Sequence, residues 1–484
     1  MKNKLKGFLI GVVFITMLSS VSILAIGTSK TINVILNSVY VKVNSSNLPS
    51  DNILYAGNIY VRADKISSAL NKDFKWDKKA NIINIQDKTI VTTTPKPSKG
   101  SFSTPTPTPI ESKFNQSIIE KYKNKISGSS YMSMAVKEDG SLWTWGNGYE
   151  GGIGNNYKKN PERFVGISDC KSVSVGFSHA LILKDDGSVW AWGNNYRGQL
   201  GNGNSGSNSN SDSFVKISGL DEIVSISARM HSSMALKNDG SVWTWGYNAN
   251  GQLGIGSHDD QVTPNNVVLD KKAIKISAGD YYSIVLLENG TVWAWGINDK
   301  GQLGDGGQTE RTRPAKVSGL SDIIDIATGE THSLALKRDG TVFAWGSNAL
   351  GQCGEGTSSG DGSEINKLKP VRVKNLTNII SVGCGRSYSA ALRSDGSVWG
   401  WGYNDVNQIG PKASFNQRIP IKIDDLDNII SLGTGDSYLL ALKTDGTIWG
   451  TGLNEEAELG DGTTQNRTAP IQIKNFRLFE NLIN

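Results

Sequence analysis

One stretch that this chain writes seven times limits what it can fold into more than any other feature. The clearest copy is Lys237-Asn-Asp-Gly-Ser-Val-Trp-Thr-Trp-Gly-Tyr-Asn-Ala-Asn-Gly-Gln-Leu-Gly254. Its Gly240 recurs as Gly140, Gly187, Gly290, Gly340, Gly396 and Gly446, at intervals of 47, 53, 50, 50, 56 and 50 residues. Self-similarity at that period means one supersecondary unit per copy, each burying its apolar face against the next. The chain must therefore fold as an array.

Each copy reads as antiparallel β-structure. Asp-Gly, or Asn289-Gly290 in one copy, stands between an apolar strand such as Met234-Ala235-Leu236 and a Val-Trp-Thr-Trp strand. This predicts a two-residue hairpin with a type I′ turn, whose positive φ suits those residues. An alternating run, such as Ile223-Val224-Ser225-Ile226-Ser227, precedes the hairpin, and a short strand opened by proline, such as Pro314-Ala-Lys-Val317, precedes that. Four short strands per copy predict a mainly β fold, a seven-bladed β-propeller of four-stranded blades. The first copy lacks a Pro-x-x-Val strand before Ile126, whereas Pro470-Ile471-Gln472-Ile473 follows the last hairpin with no hairpin after it. That asymmetry predicts a clasp in which the last strand pairs into the blade holding Trp143 and Trp145.

The repeat resembles that of the regulator of chromosome condensation family, whose pattern is similar to His-Ser-Leu-Ala-Leu, Asp-Gly, Val-x-x-Trp-Gly, Asn, Gly-Gln-Leu-Gly. The match is close from His332-Ser333-Leu334-Ala335-Leu336 through Gly351-Gln352-Cys353-Gly354 and extends over residues 126–473. The resemblance implies the propeller. For function it implies a choice, because eukaryotic members include a guanine-nucleotide exchange factor that also binds chromatin, whereas a secreted bacterial member inhibits β-lactamases by docking a propeller face. Function sits on what the blades display rather than on the fold.

Ahead of the array, Lys2, Lys4 and Lys6 precede an apolar run over residues 8–26, and Ala25-Ile26-Gly27 offers a small-x-small cleavage site. Residues 1–27 read as an export signal, with an uncleaved membrane anchor as the rival reading, since the run approaches the ~20 residues that span a bilayer. Residues 31–91 read as a small α+β unit. Val34-Ile-Leu, Val39-Tyr-Val-Lys-Val43 and Ile59-Tyr-Val alternate like strands, Ala63 to Leu70 is spaced for a short helix, and Phe74-Lys-Trp-Asp77 with Ile82-Ile-Asn-Ile85 reads as a hairpin. Tyr60-Val61, Ser68-Ala69-Leu70, Trp76-Asp77 and Ile83-Asn84-Ile85 resemble the stalk domain named after the N-terminus of copper amine oxidases. No histidine precedes His179, so that name brings no imidazole copper site. Residues 92–113 form a Thr/Pro-rich linker that favours extended polyproline II, and residues 114–484 form the propeller.

Net charge argues against nucleic acid. Removing residues 1–27 takes three lysines and no acid, leaving 47 basic against 45 acidic side chains with no long basic run. Twelve of the 13 tryptophans fall in the Trp-x-Trp-Gly strand; a residue at the same place in every copy reads as packing between blades, not as a sugar platform. The position eight before each hairpin glycine holds Met132, His179, Ser232, Tyr282, His332, Tyr388 and Tyr438, chemistry too mixed for a metal ring. The glycine loops lack Gly-Lys-Ser/Thr and are not phosphate loops. Cys170, Cys353 and Cys384 read as buried free thiols.

No catalytic, cofactor or metal motif emerges. His179 and His332 are the best candidates for a polysaccharide-acting enzyme built at the central channel. The informative variation lies between Trp-Gly and Gly-Gln-Leu-Gly, in loops that occupy one repeat position and must crowd one face. Tyr149, Glu150, Tyr196, Arg197, Tyr247, Asp299, Lys300, Tyr403 and Asp405 give that face the mixture of tyrosine, polar and charged groups found in adaptable protein-binding surfaces. The expected function is that of an exported, extracellular or surface-associated, non-catalytic binding protein with a protein partner. Wall polysaccharide, as ligand or as substrate, and nucleotide exchange are the alternatives.

Overall fold

The computed structural model describes residues 116–148, 157–357 and 366–480 in full, together with the backbone of several strands before residue 88. The chain divides into two units, Met1–Thr104 and Pro105–Asn484. In the first, Asn58–Arg62 covers the expected Ile59 strand, and Lys72–Asp77 pairs antiparallel with Ile82–Asp87, Phe74 opposite Ile85 and Trp76 opposite Ile83. The apolar run carries two strands, Val12–Ile15 and Val21–Ala25. The expected helix at 63–70, the strand at 39–43 and the Thr/Pro-rich linker lie outside the described residues. Among the described residues no helix is long and apolar enough to cross a membrane.

The second unit is a seven-bladed propeller of four-stranded antiparallel sheets, with blades at 126–163, 170–216, 223–267, 273–316, 323–372, 379–422 and 429–477. Blade 3 is representative. Ile223–Arg229 lies innermost, followed outward by Ser232–Lys237, Val242–Gly246 and Gln261–Val267. The hairpin is tighter in sequence than in geometry. Gly240 N–H donates to the Lys237 carbonyl and Lys237 N–H to the Ser241 carbonyl, so the loop holds three residues, of which only Gly240 has positive φ (+88°). This is a type I turn closed by a glycine bulge rather than the expected two-residue type I′ turn. Asp239 Oδ1 accepts from both the N–H and the hydroxyl of Ser241, an arrangement that favours the type I form.

The second tryptophan of the strand packs between blades as expected, whereas the first is only partly buried and its Nε1 donates to a hydroxyl of its own blade, as Trp243 does to Ser241. The second indole of the strand is fully buried in Trp145, Trp245, Trp295, Trp345 and Trp401, and its Nε1 donates across the blade boundary. Trp245 donates to the Gln199 carbonyl at 2.9 Å, Trp295 to Gln252, Trp345 to Gln302 and Trp401 to Gln352, each at 2.8 Å. The glycine that ends the loop leaves room for that indole. A Cβ on Gly254, at φ +71°, would stand 2.6 Å from Trp295 Nε1.

Ring closure differs from the expected clasp. The last strand, Arg467–Arg477, pairs with Thr447–Gly452 in its own blade, Trp449 opposite Gln472, and blade 1 has its own outer strand, Tyr157–Arg163. The Pro-x-x-Val strand follows the Trp-Gly strand of its own copy: Arg311–Lys316, with Pro314, lies against Trp293. Each blade is thus continuous in sequence. The seam between blades 7 and 1 is held by side chains. Tyr438 donates to the Met132 carbonyl at 2.8 Å, Trp145 Nε1 and Ser133 Oγ both donate to the Glu458 carbonyl, and Phe476 packs 5.1 Å from Trp143.

Glu458 is the one carboxylate at a position held by glutamine in blades 2 to 6. Those glutamines accept the N–H two residues earlier, and Gln199, Gln302 and Gln352 also donate through Nε2. Glu458 accepts from Glu456 N–H at 3.0 Å, but its Oε1 is buried with no partner. Burial, with Glu456 and Glu455 nearby, pushes its carboxyl up to about 7 from 4.5. A raised carboxyl stabilises the fold fully below pH 4.5, and that contribution is lost as pH rises to about 7, roughly 3 kcal/mol in all. We expect Glu458→Gln to raise the melting temperature by a few degrees at pH 8 and to leave it nearly unchanged at pH 4.5. Melting curves recorded across that range test this; an equal gain at both ends would exclude ionisation as the cause.

Candidate functional site

The propeller has two unlike faces. The hairpin turns and blade-to-blade links form one, the turn face; the inner turns and the long loops after Trp-Gly form the other, the loop face. An α-helix, Gln116–Tyr122, lies on the turn face at the mouth of a central cavity of about 620 Å³, with Ile119 and Tyr122 buried. Lys123, just beyond the helix, reaches Asp325 Oδ1 on the inner strand of blade 5 at 2.5 Å, and Lys275 of blade 4 reaches the same oxygen at 3.2 Å. Burial opposes ionisation of Asp325, yet the two ammonium groups outweigh it and hold its carboxyl down at about 2. The helix was not anticipated, because seven residues, about two turns, carry little periodicity.

The loop-face end of the cavity is crossed by charge as well. Arg229 of blade 3 donates to Asp280 of blade 4 at 2.7 Å and stands 3.2 Å from Asp436 of blade 7. Arg386 pairs with Glu330 at 2.9 Å beside it. The two histidines that the enzyme reading depended on are not in the channel. His179 Nε2 and His332 Nε2 each meet a serine hydroxyl of the next blade, Ser233 and Ser389, at 2.9 Å. Both are fully buried, and burial pushes each down to about 3. Tyr282, Tyr388 and Tyr438 use the same position to donate to the carbonyls of His332, Tyr438 and Met132. The slot is a clamp between blades.

On the loop face, the structure brings Tyr196, Arg197 and Tyr247 together. The Arg197 guanidinium stands 5.2 Å from the Tyr196 ring and 4.9 Å from the Tyr247 ring, and pairs with Asp260 at 3.3 Å. Asn194, His231 and Tyr281 complete a concave pocket of about 400 Å³. Burial lowers the His231 imidazole below its usual range, and Arg197 adds to this. Rings continue towards blade 1, Phe177 lying 5.8 Å from His231 and Tyr131 5.4 Å from Phe177. The arc spans the inner turns of blades 1 to 4; the matching residues of blades 5 to 7 are Thr331, Ser387 and Ser437.

The other anticipated residues stand apart. Asp299 and Lys300 pair with each other at 3.1 Å on blade 4, and Tyr403 packs edge-on against Phe415 at 5.1 Å on blade 6, with Asp405 exposed beside it. Tyr149 and Glu150 lie outside the described residues. Sequence reasoning missed Tyr131, Phe177, His231 and Tyr281. They sit one or two positions before the clamp residue, and the departure of Tyr131, His231 and Tyr281 from Thr331, Ser387 and Ser437, and of Phe177 from Glu330, Arg386 and Asp436, was the available signal.

Family models and solved structures agree with this geometry. The RCC1-like domain model matches residues 86–373, and the regulator of chromosome condensation (RCC1) repeat matches residues 379–408 and 395–442. Yeast RCC1 (Prp20), solved with Kap60, is 24% identical with a TM-score of 0.62, covering 80% of this chain and 91% of that one. Prp20p from Saccharomyces cerevisiae, whose binding to Gsp1p and histones was characterised, gives 24% and 0.62, over 75% and 90%. Human WBSCR16 gives 20% and 0.60, over 69% and 94%. A domain model that covers more than half of the chain, seven blades and the indole locks between them place this protein in the RCC1-like domain family.

Proposed function

We propose that the protein is an exported, surface-associated binding protein that takes a protein partner on its loop face. The observation that carries this reading is the aromatic arc of Tyr131, Phe177, His231, Tyr281 and Tyr247, which ends on the exposed Tyr196 and Arg197. Tyrosine and arginine supply large contact area at low entropic cost and dominate binding surfaces. The turn face, by contrast, has its centre filled by the helix. Export draws its support from the basic residues and apolar run at the N-terminus, and a Thr/Pro spacer suits a propeller held away from a surface. Yeast Prp20, which has been studied with Kap60, Gsp1p and histones, lends support to a protein-binding use of the same fold.

Full-length chain on beads, incubated with envelope and culture-supernatant fractions of the producing cells, tests the reading against a Tyr196→Ala, Arg197→Ala, Tyr247→Ala variant. We expect a protein retained by the wild type to lose at least about tenfold in affinity in the variant, with melting temperature unchanged because Tyr196 is 56% exposed. Equal capture by both chains would exclude this face. Nucleotide exchange, the alternative implied by the family resemblance, is separated by release of labelled guanine nucleotide from small GTPases. Acceleration over the intrinsic rate would replace the passive binding role.

A further inference from the structure

We infer that the pocket between blades 2, 3 and 4 is a subsite for an uncharged pyranose ring carried by the partner, an assignment that rests on the loop face being the binding face. Its lining is Asn194, Tyr196, Arg197, His231, Tyr247 and Tyr281, with no aliphatic side chain among them. Each of these has a flat face and a polar tip. A leucine or methionine anchor would find no apolar floor here, whereas a sugar presents C–H groups to flat rings and hydroxyls to donors and acceptors at once.

Charge narrows the ligand further. Arg197 is the one cation of the lining; its pairing with Asp260 at 3.3 Å neutralises it while leaving guanidinium donors and carboxylate acceptors side by side. His231, held below its usual range by burial and by Arg197, is neutral at pH 7 and meets Gln199 Nε2 at 3.5 Å. Tyr247 and Tyr281 stand edge to face, 6.2 Å between centroids. The pocket is thus polar, aromatic and without net charge, which favours neutral sugars over uronic acids or basic peptides. Its volume of about 400 Å³ lies at the small end of ligand sites, which run to roughly 300–1,000 Å³.

The site also departs from the repeat. Blades 5 and 6 hold Ala349-Leu350 and Asp405-Val406 where blade 2 holds Tyr196-Arg197, and Thr331 and Ser387 where blades 3 and 4 hold His231 and Tyr281. Residues that serve the fold recur around the ring, as the buried indole does in six of the seven blades, with Thr451 in its place in blade 7. These six residues meet at one place only.

Methyl glycosides of glucose, galactose, mannose and N-acetylglucosamine, titrated against the full-length chain by saturation-transfer NMR, test the assignment. At least one is expected to bind saturably, to lose about tenfold in affinity with Tyr196→Ala or Tyr247→Ala, and to be unaffected by Tyr403→Ala on blade 6. Methyl glucuronide should bind no more tightly than methyl glucoside. Failure of all four glycosides to saturate, or binding that survives the Tyr196→Ala, Tyr247→Ala double variant, would overturn the subsite. Competition by the bound glycoside against capture of purified wall polysaccharide, and separately against capture of a glycoprotein fraction before and after deglycosylation, identifies the source of the sugar. Saccharide binding without any captured protein would sink the protein-partner reading alone, and protein capture without saccharide binding would sink the subsite alone.

Discussion

A chain ending at Ile473 is expected to lose roughly 6 kcal/mol of propeller stability, although it retains the part of the last strand that pairs with Trp449. The truncation removes Phe476, Leu478 and Phe479, all buried in one cluster with Tyr122, Ile126, Trp145 and Leu440. Each such side chain contributes about 1.5–3 kcal/mol by burial. Phe479 lies 4.4 Å from Tyr122 and Phe476 lies 5.1 Å from Trp143, so the loss falls on blade 7, blade 1 and the helix together. Leu478 also accepts a backbone bond from Glu138 of blade 1 at 3.1 Å. Denaturant unfolding should show one cooperative transition at lower midpoint. A midpoint within error of the full chain would mean that the ring closes through the hydrogen bonds of Tyr438, Trp145 and Ser133 without this cluster.

The second large effect is expected at the helix. Asp325→Ala at neutral pH leaves the Lys123 and Lys275 ammonium groups facing each other beside the cavity, and removing one member of a buried pair costs about 3–5 kcal/mol. Asp325 is 4% exposed at its side chain, and the lysines are about a quarter exposed, so solvent relieves only part of this. Replacing Lys123 with methionine in the same chain should recover much of the loss, because Lys275 keeps Glu120 at 3.4 Å. A double-mutant cycle in denaturant reads the coupling. The carboxyl is held below its usual value, so this contribution is complete above pH 4 and is lost as pH falls towards about 2. Additive single and double variants would show that the helix is seated by Ile119 and Tyr122 alone.

Much of the architecture was legible in the residues. Alternation, Asp-Gly pairs and the Trp-x-Trp-Gly strand are local signals with local causes, and repetition sevenfold removes their ambiguity. Packing of the indoles between blades was also legible, because a residue that recurs at one place in every copy has to serve what every copy shares. Even so, the turn type was misread: Lys237 to Ser241 uses one positive-φ residue, and the hydrogen bonds of Asp239 to Ser241 favour the three-residue loop. The residue pair Asp-Gly is compatible with either form.

By itself, then, the sequence determined the number of blades, the strands within each and the residues that lock one blade to the next, since these depend on contacts repeated at a constant interval. Only the tertiary structure decided where a blade begins, how the ends meet and which loop residues become neighbours. Assigning the proline strand to its own copy or to the next satisfies the same periodicity, and only strand pairings such as Arg311–Lys316 with Val292–Gly296 and Arg467–Arg477 with Thr447–Gly452 distinguish them. Tyr196, His231, Tyr247 and Tyr281 lie up to a whole repeat and more apart in sequence, and they share a pocket because each loop after Trp-Gly sits beside the inner turn of the following blade. Asp325 acquires its lowered carboxyl for the same reason: Lys123 and Lys275, which neutralise it, arrive from the helix end and from another blade.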